Sequence, residues 1–582
     1  MPNRHLHKLL TTPTPKAFGY SVVFWFGLSL TVAIIYSYPE LRQVLSNKYA
    51  LHDDVRSHVF WMQRFLEPDL FPQDIIADYF QSVAPYGYTG LYHFMATLGI
   101  DPLLFNKILP LFLALMTTAY CFGVCMTIFP VPAAGFIATV FINQKLWITP
   151  EVPSGTPRAF FYPLFLAFLY YLSRRSLLPC LGALVLQGLF YPHCLLISAG
   201  VLILQLFRLK KWQPRLSRQR NDYLFCAAGL GAIALMLLPY ALKVSEFGPV
   251  ITAAEAKTLP IFQSSGRKPF FYEDTLQFWF CAERSSIFPY EWCTHTPPLQ
   301  VWAGLLLPLL LWLPTRFPLA GLVSNKVAIL PQSLLASLGI FFVAHALLFK
   351  LHLPSRYTKH SIRILVAIAA GIALIIILDA VFSWVKRRAR NQLEGRQFLA
   401  LGCIGLLAAL IFLNPILLHK FSDSGYKQAM SPALYEFFAR QPKDSLIASL
   451  SSEANNIPTF SRRSVLASSE IHVPYHKGFS QQIEQRAVDL IRAQYSQDLE
   501  AAKQTIQKYG IDFLLLEQAS FTPEYIERDP WLRGFQPVAA EAVASLKQGT
   551  PALAGLTEEC SVFKTNNFMV LQAECIVNAK SD

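Results

Sequence analysis

The sequence predicts an α-helical polytopic membrane protein with a soluble extracytoplasmic α/β domain at its C-terminus. Hydrophobic residues make up 53% of the 582 residues and charged residues only 15%, whereas a soluble globular chain contains about 25% charged residues. Apolar runs of the length that crosses a bilayer, about 20 residues, recur up to residue 419. Strand and helix patterns alternate beyond it. We therefore predict a transmembrane domain at 1–419 and a soluble domain at 420–582.

The apolar runs predict about eleven transmembrane helices. These are 18–38, 105–129, 131–149, 159–173, 176–191, 192–207, 222–242, 300–315, 327–349, 364–385 and 397–419. The first run is too long for a cleavable signal peptide and lacks a small-x-small site before Pro39, so we expect a retained anchor. The uncharged stretch 176–207 is interpreted as two short spans that break at Tyr191-Pro192-His193.

The basic residues predict the orientation, because lysine and arginine remain on the cytoplasmic side of a membrane. Four basic clusters fall on one face if eleven spans alternate: the N-terminus, Arg174-Arg175, 208–220 and 386–396. The N-terminus is then inside and the C-terminus outside. The net charge of +13 follows from this topology, and nucleic-acid binding is not needed to explain it. The predicted outer loops are 39–104, 150–158, 243–299 and 350–363.

The ten cysteines divide between the two environments. Six lie in apolar spans, where a thiol behaves as a small hydrophobe: Cys121, Cys125, Cys180, Cys194, Cys226 and Cys403. The other four lie in the predicted outer regions as two local pairs, Cys281 with Cys293 and Cys560 with Cys575. An oxidising compartment favours two disulfides there, and four free thiols are the alternative.

The C-terminal region is typical of a small α/β layer domain. Strands are predicted at 445–450, 465–468, 511–517 and 568–575, and one helix over 481–508 that ends at Tyr509-Gly510, since glycine is the usual left-handed helix stop. The region has no glycine-rich phosphate loop, no Gly-x-Ser-x-Gly motif and no metal-ligand cluster. We expect it to cover or shape a site.

Carboxylates are concentrated in the first outer loop of a chain that otherwise avoids charge. They begin at His52-Asp53-Asp54 and continue to residue 78: Asp53, Asp54, Glu67, Asp69, Asp74 and Asp78. An acid at the membrane surface can act as a general base toward a hydroxyl. Asp53 and Asp54 would point about 100° apart on a helix, so we expect one of them to face a substrate. The alternatives are solvated loop acids, or a cap on a helix that begins at Val55. Residues 55–66 are predicted as an amphipathic helix in the interface.

Basic residues in the outer loops indicate an anionic ligand, because statistics place such residues on the inner side. The loop 350–363 contains four of them: Lys350, Arg356, Lys359 and Arg363. Arg158 and the pair Arg267-Lys268 are further outer cations, and the arginine fork suits phosphate. The alternative is contact with lipid headgroups. Asp379 lies within the tenth span, near its cytoplasmic end, where we favour pairing with a cation over catalysis.

These residues resemble the GT-C superfamily of polytopic glycosyltransferases, which use polyprenyl-phosphate-linked sugars. The resemblance begins with a retained first span, an Asp-Asp in the first outer loop and an amphipathic segment. The run Glu67-Pro-Asp-Leu-Phe-Pro-Gln-Asp74 is similar to an Asp-Pro-x-Leu-Phe-x-x-Asp segment of bacterial members, with Glu67 in place of the leading aspartate. Pro354-Ser-Arg-Tyr357 is similar to their Pro-x-Arg-Tyr.

The resemblance implies a catalytic acid of the first outer loop that acts as base on the acceptor hydroxyl. That role falls on Asp54 or Asp53, with Asp54 slightly preferred. The leaving group is implied to be a polyprenyl phosphate, whose developing charge fixed cations stabilise; Arg356 is the first candidate for this and Arg158 the second. Three more residues complete the predicted substrate-binding set: Tyr357, Lys359 and His52.

The resemblance also implies partners and a location. The partners are a polyprenyl-phosphate-linked sugar donor, a glycan, lipid or protein acceptor, and membrane lipids. The location is the bacterial cytoplasmic (inner) membrane. Some members bind a divalent metal ion through Asp-x-Asp, whereas this chain has adjacent aspartates, so a divalent metal ion stays open as a cofactor. Two other function classes stay open: a lipid or polysaccharide transporter, and a non-catalytic envelope assembly protein.

Overall fold

A computed structural model describes residues 2–14, 19–210, 213–294, 298–386, 401–402, 404–413, 425–429 and 431–580. Cys403 and most of the basic cluster at 386–396 lie outside these ranges. The described chain forms a helical part followed by a mixed α/β part at 425–580, which we name the tail region.

The helical part is an integral membrane structure, since each of the eleven predicted apolar runs coincides with a helix. Five helices are long and apolar enough to cross a membrane: Tyr20–Ser46, Pro102–Ile128, Arg220–Leu242, Asn325–Ala346 and Ser355–Trp384. The remaining apolar helices are shorter: Pro132–Leu146, Phe161–Ser173, Leu177–Phe190, His193–Leu204, Leu299–Trp312 and Ile404–Leu413. The last of the five continues to Lys386, and the helices Pro132–Leu146 and Leu299–Trp312 pack along it.

The first long helix extends beyond its predicted end at residue 38. It runs through Pro39 to Ser46, which membrane helices tolerate because neighbouring groups satisfy the freed backbone. Lys107 Nζ then donates to the carbonyls of Val44 at 2.8 Å and Asn47 at 3.0 Å and so satisfies the end of this helix. The connection to the second long helix, residues 47–101, is named the first loop.

The interfacial amphipathic helix predicted at 55–66 is wrong. The segment forms the short α-helix Val55–His58 and the 3₁₀ helix Phe60–Phe65. Five of its apolar side chains are fully buried: Val55, Val59, Phe60, Trp61 and Met62, whereas Leu66 is 37% exposed. The tail region contacts this segment, where Gln63 Nε2 donates to the Thr459 carbonyl at 3.3 Å. A protein interior therefore takes the place of the lipid that the pattern suggested.

The other loops carry short helices. Those of the first loop are Ile75–Val83 and Tyr86–Thr97. The loop that follows Leu242, which we name the third loop, contains Ala253–Thr258, Pro260–Phe262, Gln277–Cys281 and Glu291–Thr294. A disulfide joins Cys281 to Cys293. On the opposite side, strands Phe207–Lys210 and Gln213–Leu216 form an antiparallel hairpin.

The tail region is built on a five-stranded sheet in the order Ser464–Val465, Leu446–Ala448, Phe513–Glu517, Phe568–Gln572 and Ser561–Lys564. The first three strands are parallel and the last two antiparallel. Three of the five lie within predicted strands, Ser464–Val465 overlaps the strand predicted at 465–468 only at Val465, and Ser561–Lys564 was not predicted. A disulfide joins Cys560 to Cys575 at the antiparallel edge.

The single helix predicted over 481–508 is wrong, because the segment forms the two helices Lys477–Tyr495 and Leu499–Tyr509. The Asp498 side chain accepts from the Glu500 amide at 3.0 Å and begins the second helix. Gly510 ends it with φ of 66°, as the sequence predicts. Further tail helices are Pro432–Ala439, Ile457–Phe460, Pro523–Arg528, Pro530–Arg533, Val538–Gln548, Ala552–Gly555 and Ala573–Asn578.

Two backbone connections hold the tail region to the loops. Strand Ala50–His52 of the first loop pairs antiparallel with Tyr426–Gln428. The third loop contacts the start of a tail helix, where Ile251 N donates to the Tyr475 carbonyl at 2.9 Å. The approach is closest at Gly248, which has φ of +84° and lies so near the tail backbone that a Cβ atom would meet the Gly478 nitrogen at 2.9 Å. The tail region is therefore packed against the end of the first loop that contains Asp53 and Asp54.

Candidate active site

Asp54 lies at the centre of a charged cluster and points away from its own helix. It precedes the helix Val55–His58, but its side chain makes no capping hydrogen bond, so the capping alternative is wrong for Asp54. Its carboxylate pairs with Arg158 and lies 3.6 Å from His52 Nδ1. Burial raises the pKa of this carboxyl, but Arg158, with smaller effects of His52 and His58, outweighs burial and holds the pKa well below its usual range. Asp54 is therefore ionised at neutral pH.

Asp53 faces different partners from Asp54. Its carboxylate pairs with Arg56, and Arg56 Nη1 donates to Asn456 Oδ1 of the tail region at 3.0 Å. The two neighbouring acids are thus separated, as expected for adjacent positions on a turn. Asp53 contributes to the contact with the tail region, whereas Asp54 pairs with Arg158.

Arg158 connects Asp54 to a buried acid that the sequence analysis did not single out. It lies in the 3₁₀ helix Pro157–Phe160, and the negative charges of Asp54 and Glu151 raise its pKa against the opposing effect of burial. Glu151 is 1% exposed. Burial acts to raise the pKa of Glu151, yet Arg363 and Lys359 hold it well below the usual range.

Glu151 also binds two of the predicted cations. Its Oε1 lies 3.1 Å from Lys359 Nζ and 3.2 Å from an Arg363 nitrogen. Arg363 donates to both oxygens of Glu291, at 2.9 Å and 3.0 Å. Lys359 and Arg363 are therefore neutralised by carboxylates and form a rigid layer beneath Arg158.

Arg356 has an incompletely satisfied side chain, as do Arg158 and Arg267. It occupies the first turn of the helix Ser355–Lys386 and is partly exposed. Its Nη1 is buried and has no hydrogen-bond partner among the residues that the structure describes. It lies close enough to Asp54 and Glu283 to lower the pKa of both carboxyls. An unmatched buried guanidinium nitrogen is a site that an incoming anion can satisfy.

The other two predicted substrate-binding residues have structural partners. Tyr357 is 1% exposed, and its hydroxyl donates to the Leu351 carbonyl at 2.9 Å. His52 is 2% exposed, and its Nδ1 accepts from the Asp54 backbone nitrogen at 3.3 Å. Both residues hold the loops that carry the charged side chains.

Histidine His58 belongs to the cluster and was not singled out from the sequence. It follows Asp54 by four residues, the spacing that places two side chains on one helix face, and this spacing was the available signal. Burial, together with the charges of Arg158 and Arg356 and against the opposing charge of Asp54, lowers the pKa of His58 to about 4. His58 is therefore neutral at pH 7. We name Asp54, His58, Arg158 and Arg356 the Asp54 cluster.

The Asp54 cluster does not fit a divalent cation. Arginines flank its only central carboxylate, and a metal ion would be repelled by the charge that pairs with Asp54. Across the described ranges, no group of three histidine, cysteine or acidic residues comes together as a metal site. We therefore assign no step to a metal.

The segment similar to Asp-Pro-x-Leu-Phe-x-x-Asp has a structural role. Glu67 pairs with Arg462 and with Lys443, the latter at 3.0 Å. Asp74 accepts from the Ile76 amide at 2.8 Å and begins the helix Ile75–Val83. The segment thus joins the first loop to the tail region.

Asp379 has a partner on the far side of the helical part. Its carboxylate lies 2.8 Å from His7 Nε2 of the N-terminal helix Pro2–Thr11. Pairing rather than catalysis is what the sequence analysis favours for this residue, and the structure agrees.

Comparison with known proteins identifies the fold. No protein-family model and no curated protein matches the chain. Among solved structures, the apo oligosaccharyltransferase of Archaeoglobus fulgidus has a TM-score of 0.53 at 12% identity over 90% of this chain and 73% of that one. The oligosaccharyltransferase AglB of the same organism, in complex with an inhibitory peptide and a dolichol-phosphate, has a TM-score of 0.51 at 11% identity over 89% and 72%. ArnT of Cupriavidus metallidurans bound to undecaprenyl phosphate has a TM-score of 0.48 at 13% identity over 96% and 100%. At these identities the similarity establishes the fold, and the chain has the GT-C fold of membrane glycosyltransferases.

Proposed function

We propose that the protein is a membrane glycosyltransferase that moves a sugar from a polyprenyl-phosphate-linked donor to an acceptor hydroxyl. The observation that carries the proposal is the Asp54 cluster, in which an ionised, partly exposed carboxylate stands beside two arginines, each with a buried nitrogen that has no hydrogen-bond partner among the described residues. The fold supports it, because the A. fulgidus oligosaccharyltransferase of the same fold binds a dolichol-phosphate.

Asp54 serves as the general base. It accepts the proton of the acceptor hydroxyl while the acceptor oxygen forms a bond to the anomeric carbon of the sugar. The bond between that carbon and the donor phosphate oxygen breaks, and the electron pair leaves with the polyprenyl phosphate. Arg158 holds the pKa of Asp54 low before the donor binds. When the donor phosphate also pairs with Arg158, the interaction between Arg158 and Asp54 weakens. The pKa of Asp54 then rises, which makes Asp54 a stronger base.

Arg356 and Arg158 stabilise the leaving phosphate. The unmatched Arg356 Nη1 donates to the phosphate oxygen on which charge develops, which is where a fixed donor lowers the barrier most. Lys359 and Arg363 act as positioning residues, because Glu151 and Glu291 already bind them. Their rigid layer keeps Arg158 in place without reorganisation during the reaction.

The reaction belongs on the extracytoplasmic face of a bacterial cytoplasmic membrane. Arg158 precedes the helix Phe161–Ser173, and Arg174-Arg175 follow it, so the basic pair lies at the opposite end from the cluster. The positive-inside rule assigns that end to the cytoplasm. The disulfides Cys281–Cys293 and Cys560–Cys575 agree with an oxidising compartment on the side of the tail region. The acceptor, a glycan, lipid or protein, then approaches Asp54 beside the tail region.

Mass spectrometry of envelope glycans and lipid-linked sugars, from cells with and without the protein, tests the proposal. We expect one glycan, lipid or protein acceptor to lose a sugar and the matching lipid-linked sugar to accumulate. The purified protein in nanodiscs should then transfer that sugar. Unchanged glycans together with no transfer by the purified protein would contradict the proposal.

A transporter is the less supported alternative, because a transporter places its polar site near the middle of the membrane between repeated halves. The Asp54 cluster instead lies where loops meet the helix ends. A lipid-scrambling assay on the same nanodisc sample separates the two classes.

A further inference from the structure

A cavity lies apart from the Asp54 cluster, where the first loop, the start of the helix Pro102–Ile128 and the tail region meet. Its volume is about 580 Å³. Leu104 lines it on the first turn of this membrane-crossing helix and is 45% exposed. The cavity therefore opens at the level of the membrane surface. None of the four residues of the Asp54 cluster lines it.

Three buried polar groups of the cavity lining have no hydrogen-bond partner among the described residues. They are Gln63 Oε1, Thr459 Oγ1 and Ser461 Oγ, and each residue is only 1% exposed. The amide nitrogen of Gln63 is already used, since it donates to the carbonyls of Phe60 at 3.1 Å and Thr459 at 3.3 Å. Unsatisfied buried polar groups are costly and therefore rare. Here one acceptor and two hydroxyls meet at a single cavity, which indicates a polar ligand.

The charges of the lining favour an anion. Within the described part of the chain, basic side chains outnumber acidic ones around the cavity: Lys48, Lys107, Lys443, Arg462 and Arg463 against Glu67 and Asp101. Arg463 and Lys107 donate to backbone carbonyls, which leaves their charge uncompensated. Lys48 is exposed, with its ammonium 5.3 Å from the centre of the Tyr49 ring.

We propose that this cavity binds a phosphate ester that carries free hydroxyl groups. The phosphate contacts the surplus lysines, with Lys48 nearest to solvent, and the hydroxyls pair with Gln63, Thr459 and Ser461. A bare anion leaves the Gln63 oxygen unsatisfied, because that oxygen only accepts, whereas a hydroxylated ester supplies the missing donor. The ester is either a phosphoglycerol headgroup of the membrane or a soluble phosphorylated polyol.

A ligand in this cavity connects the first loop to the tail region, because residues of both segments line the cavity. Gln63 and Glu67 belong to the first loop, and Thr459 and Ser461 to the tail region. A bound ligand should therefore stabilise the folded protein, by an amount that rises with the logarithm of the ligand concentration above the dissociation constant. This inference does not depend on glycosyl transfer.

The test uses the full-length protein in phosphatidylcholine nanodiscs. One arm adds sn-glycerol 3-phosphate in solution, and the other incorporates phosphatidylglycerol. Melting temperature and native mass spectrometry report binding. We expect saturable binding, together with a rise in melting temperature, in at least one arm, and the arm that responds identifies the source of the ester. Absence of saturable binding in both arms would overturn the proposal.

Two variants and a control assign the binding to this cavity. Lys48→Gln should weaken binding about tenfold, the effect of losing a hydrogen bond to a charged group, and Ser461→Ala should weaken it less. Lys547→Gln, at an exposed lysine of the tail helix Val538–Gln548, is the matched control and should bind as the wild type does. Equal affinity of Lys48→Gln and the control would overturn the assignment. Asp54→Asn should also bind normally, so failure here and failure of the proposed transferase activity remain distinguishable.

Sulfate tests the charge contacts separately from the hydroxyl contacts. It carries negative charge but no hydroxyl group, so it cannot donate to Gln63 Oε1 and should bind more weakly than glycerol 3-phosphate. Equal affinity of the two ligands would overturn the hydroxyl contacts.

Discussion

Two regions of the first loop use the same residue types in opposite ways. Around Glu67, the carboxylate and its cations Arg462 and Lys443 pair across the contact with the tail region, and each side chain is more than a third exposed. Around Asp54, positive charge exceeds negative charge, and Arg356 keeps a buried nitrogen unmatched. The paired charges around Glu67 hold an interface together, and the ligand proposed for the neighbouring cavity depends on other side chains, whereas the unmatched charge at Asp54 belongs to the proposed catalytic cluster itself.

The largest expected effect separates the two neighbouring aspartates. Asp54→Asn should lower the rate of sugar transfer by about 10²–10⁴-fold, the usual contribution of a general base. Asp53→Asn is the matched control; because Asp53 pairs with Arg56, we expect a loss of less than about tenfold. Initial rates with a lipid-linked donor measure both. Equal losses in the two variants would contradict the assignment of Asp54.

Arg356 should show the next largest effect. Arg356→Gln should raise KM for the lipid-linked donor about tenfold and lower kcat, because the variant loses a charge-assisted hydrogen bond to the phosphate. Arg462→Gln removes the same charge from the Glu67 region and should leave both constants unchanged. A donor KM unaffected by Arg356→Gln would exclude this arginine from donor binding.

Acid should weaken the tail region through His472. This histidine is buried and accepts a hydrogen bond from the Trp531 indole at 3.2 Å, and burial, with Arg267 and Lys268, lowers its pKa to about 4. In the unfolded chain, His472 takes up its proton near pH 6.5. The contribution of neutral His472 to the free energy of unfolding is therefore fully present above pH 6.5 and is lost as the pH falls toward 4. At pH 5 the loss is roughly 2 kcal/mol.

Hydrogen exchange of tail peptides in the full-length protein, followed from pH 7 to pH 5, measures this loss. His472→Gln removes the titrating group and should flatten the dependence on pH. An unchanged pH dependence in that variant would assign the effect to another group.

The smallest expected effect concerns the ion pairs around Glu67. Arg462→Gln should lower the free energy of unfolding by about 0.5 kcal/mol or less, since exposed pairs contribute little, and high salt should reduce the difference. Chemical denaturation at low and high salt measures it. A loss as large as that of a buried charge would show that the pair is more than a surface contact.

The sequence predicts the helices of this protein better than its interfaces. Apolar runs identify membrane helices because every residue in lipid obeys the same constraint. The segment 55–66 misleads because its apolar side chains are buried in the protein and because it contacts tail residues far along the chain, such as Asn456, which accepts from Arg56. The break between the helices Lys477–Tyr495 and Leu499–Tyr509 likewise depends on a local interaction, the cap that the Asp498 side chain provides. Hydrophobic periodicity alone does not reveal it.

The candidate site was predicted in part. Charge statistics and the family resemblance point to Asp54, Arg158 and Arg356, which belong to three separate loops. Their pairing, and the support of Lys359 by Glu151, depend on how those loops meet. Composition contains no information on that.

The strand pairing between Ala50–His52 and Tyr426–Gln428 has a mechanical consequence. The paired strand runs directly into Asp53, whose backbone nitrogen donates to the Gly425 carbonyl at 3.4 Å. A displacement of the tail region is therefore transmitted along this short hydrogen-bonded ribbon to the segment that contains Asp54. For the same reason, a chain shortened before residue 425 loses the strand that pairs with the first loop as well as the tail region.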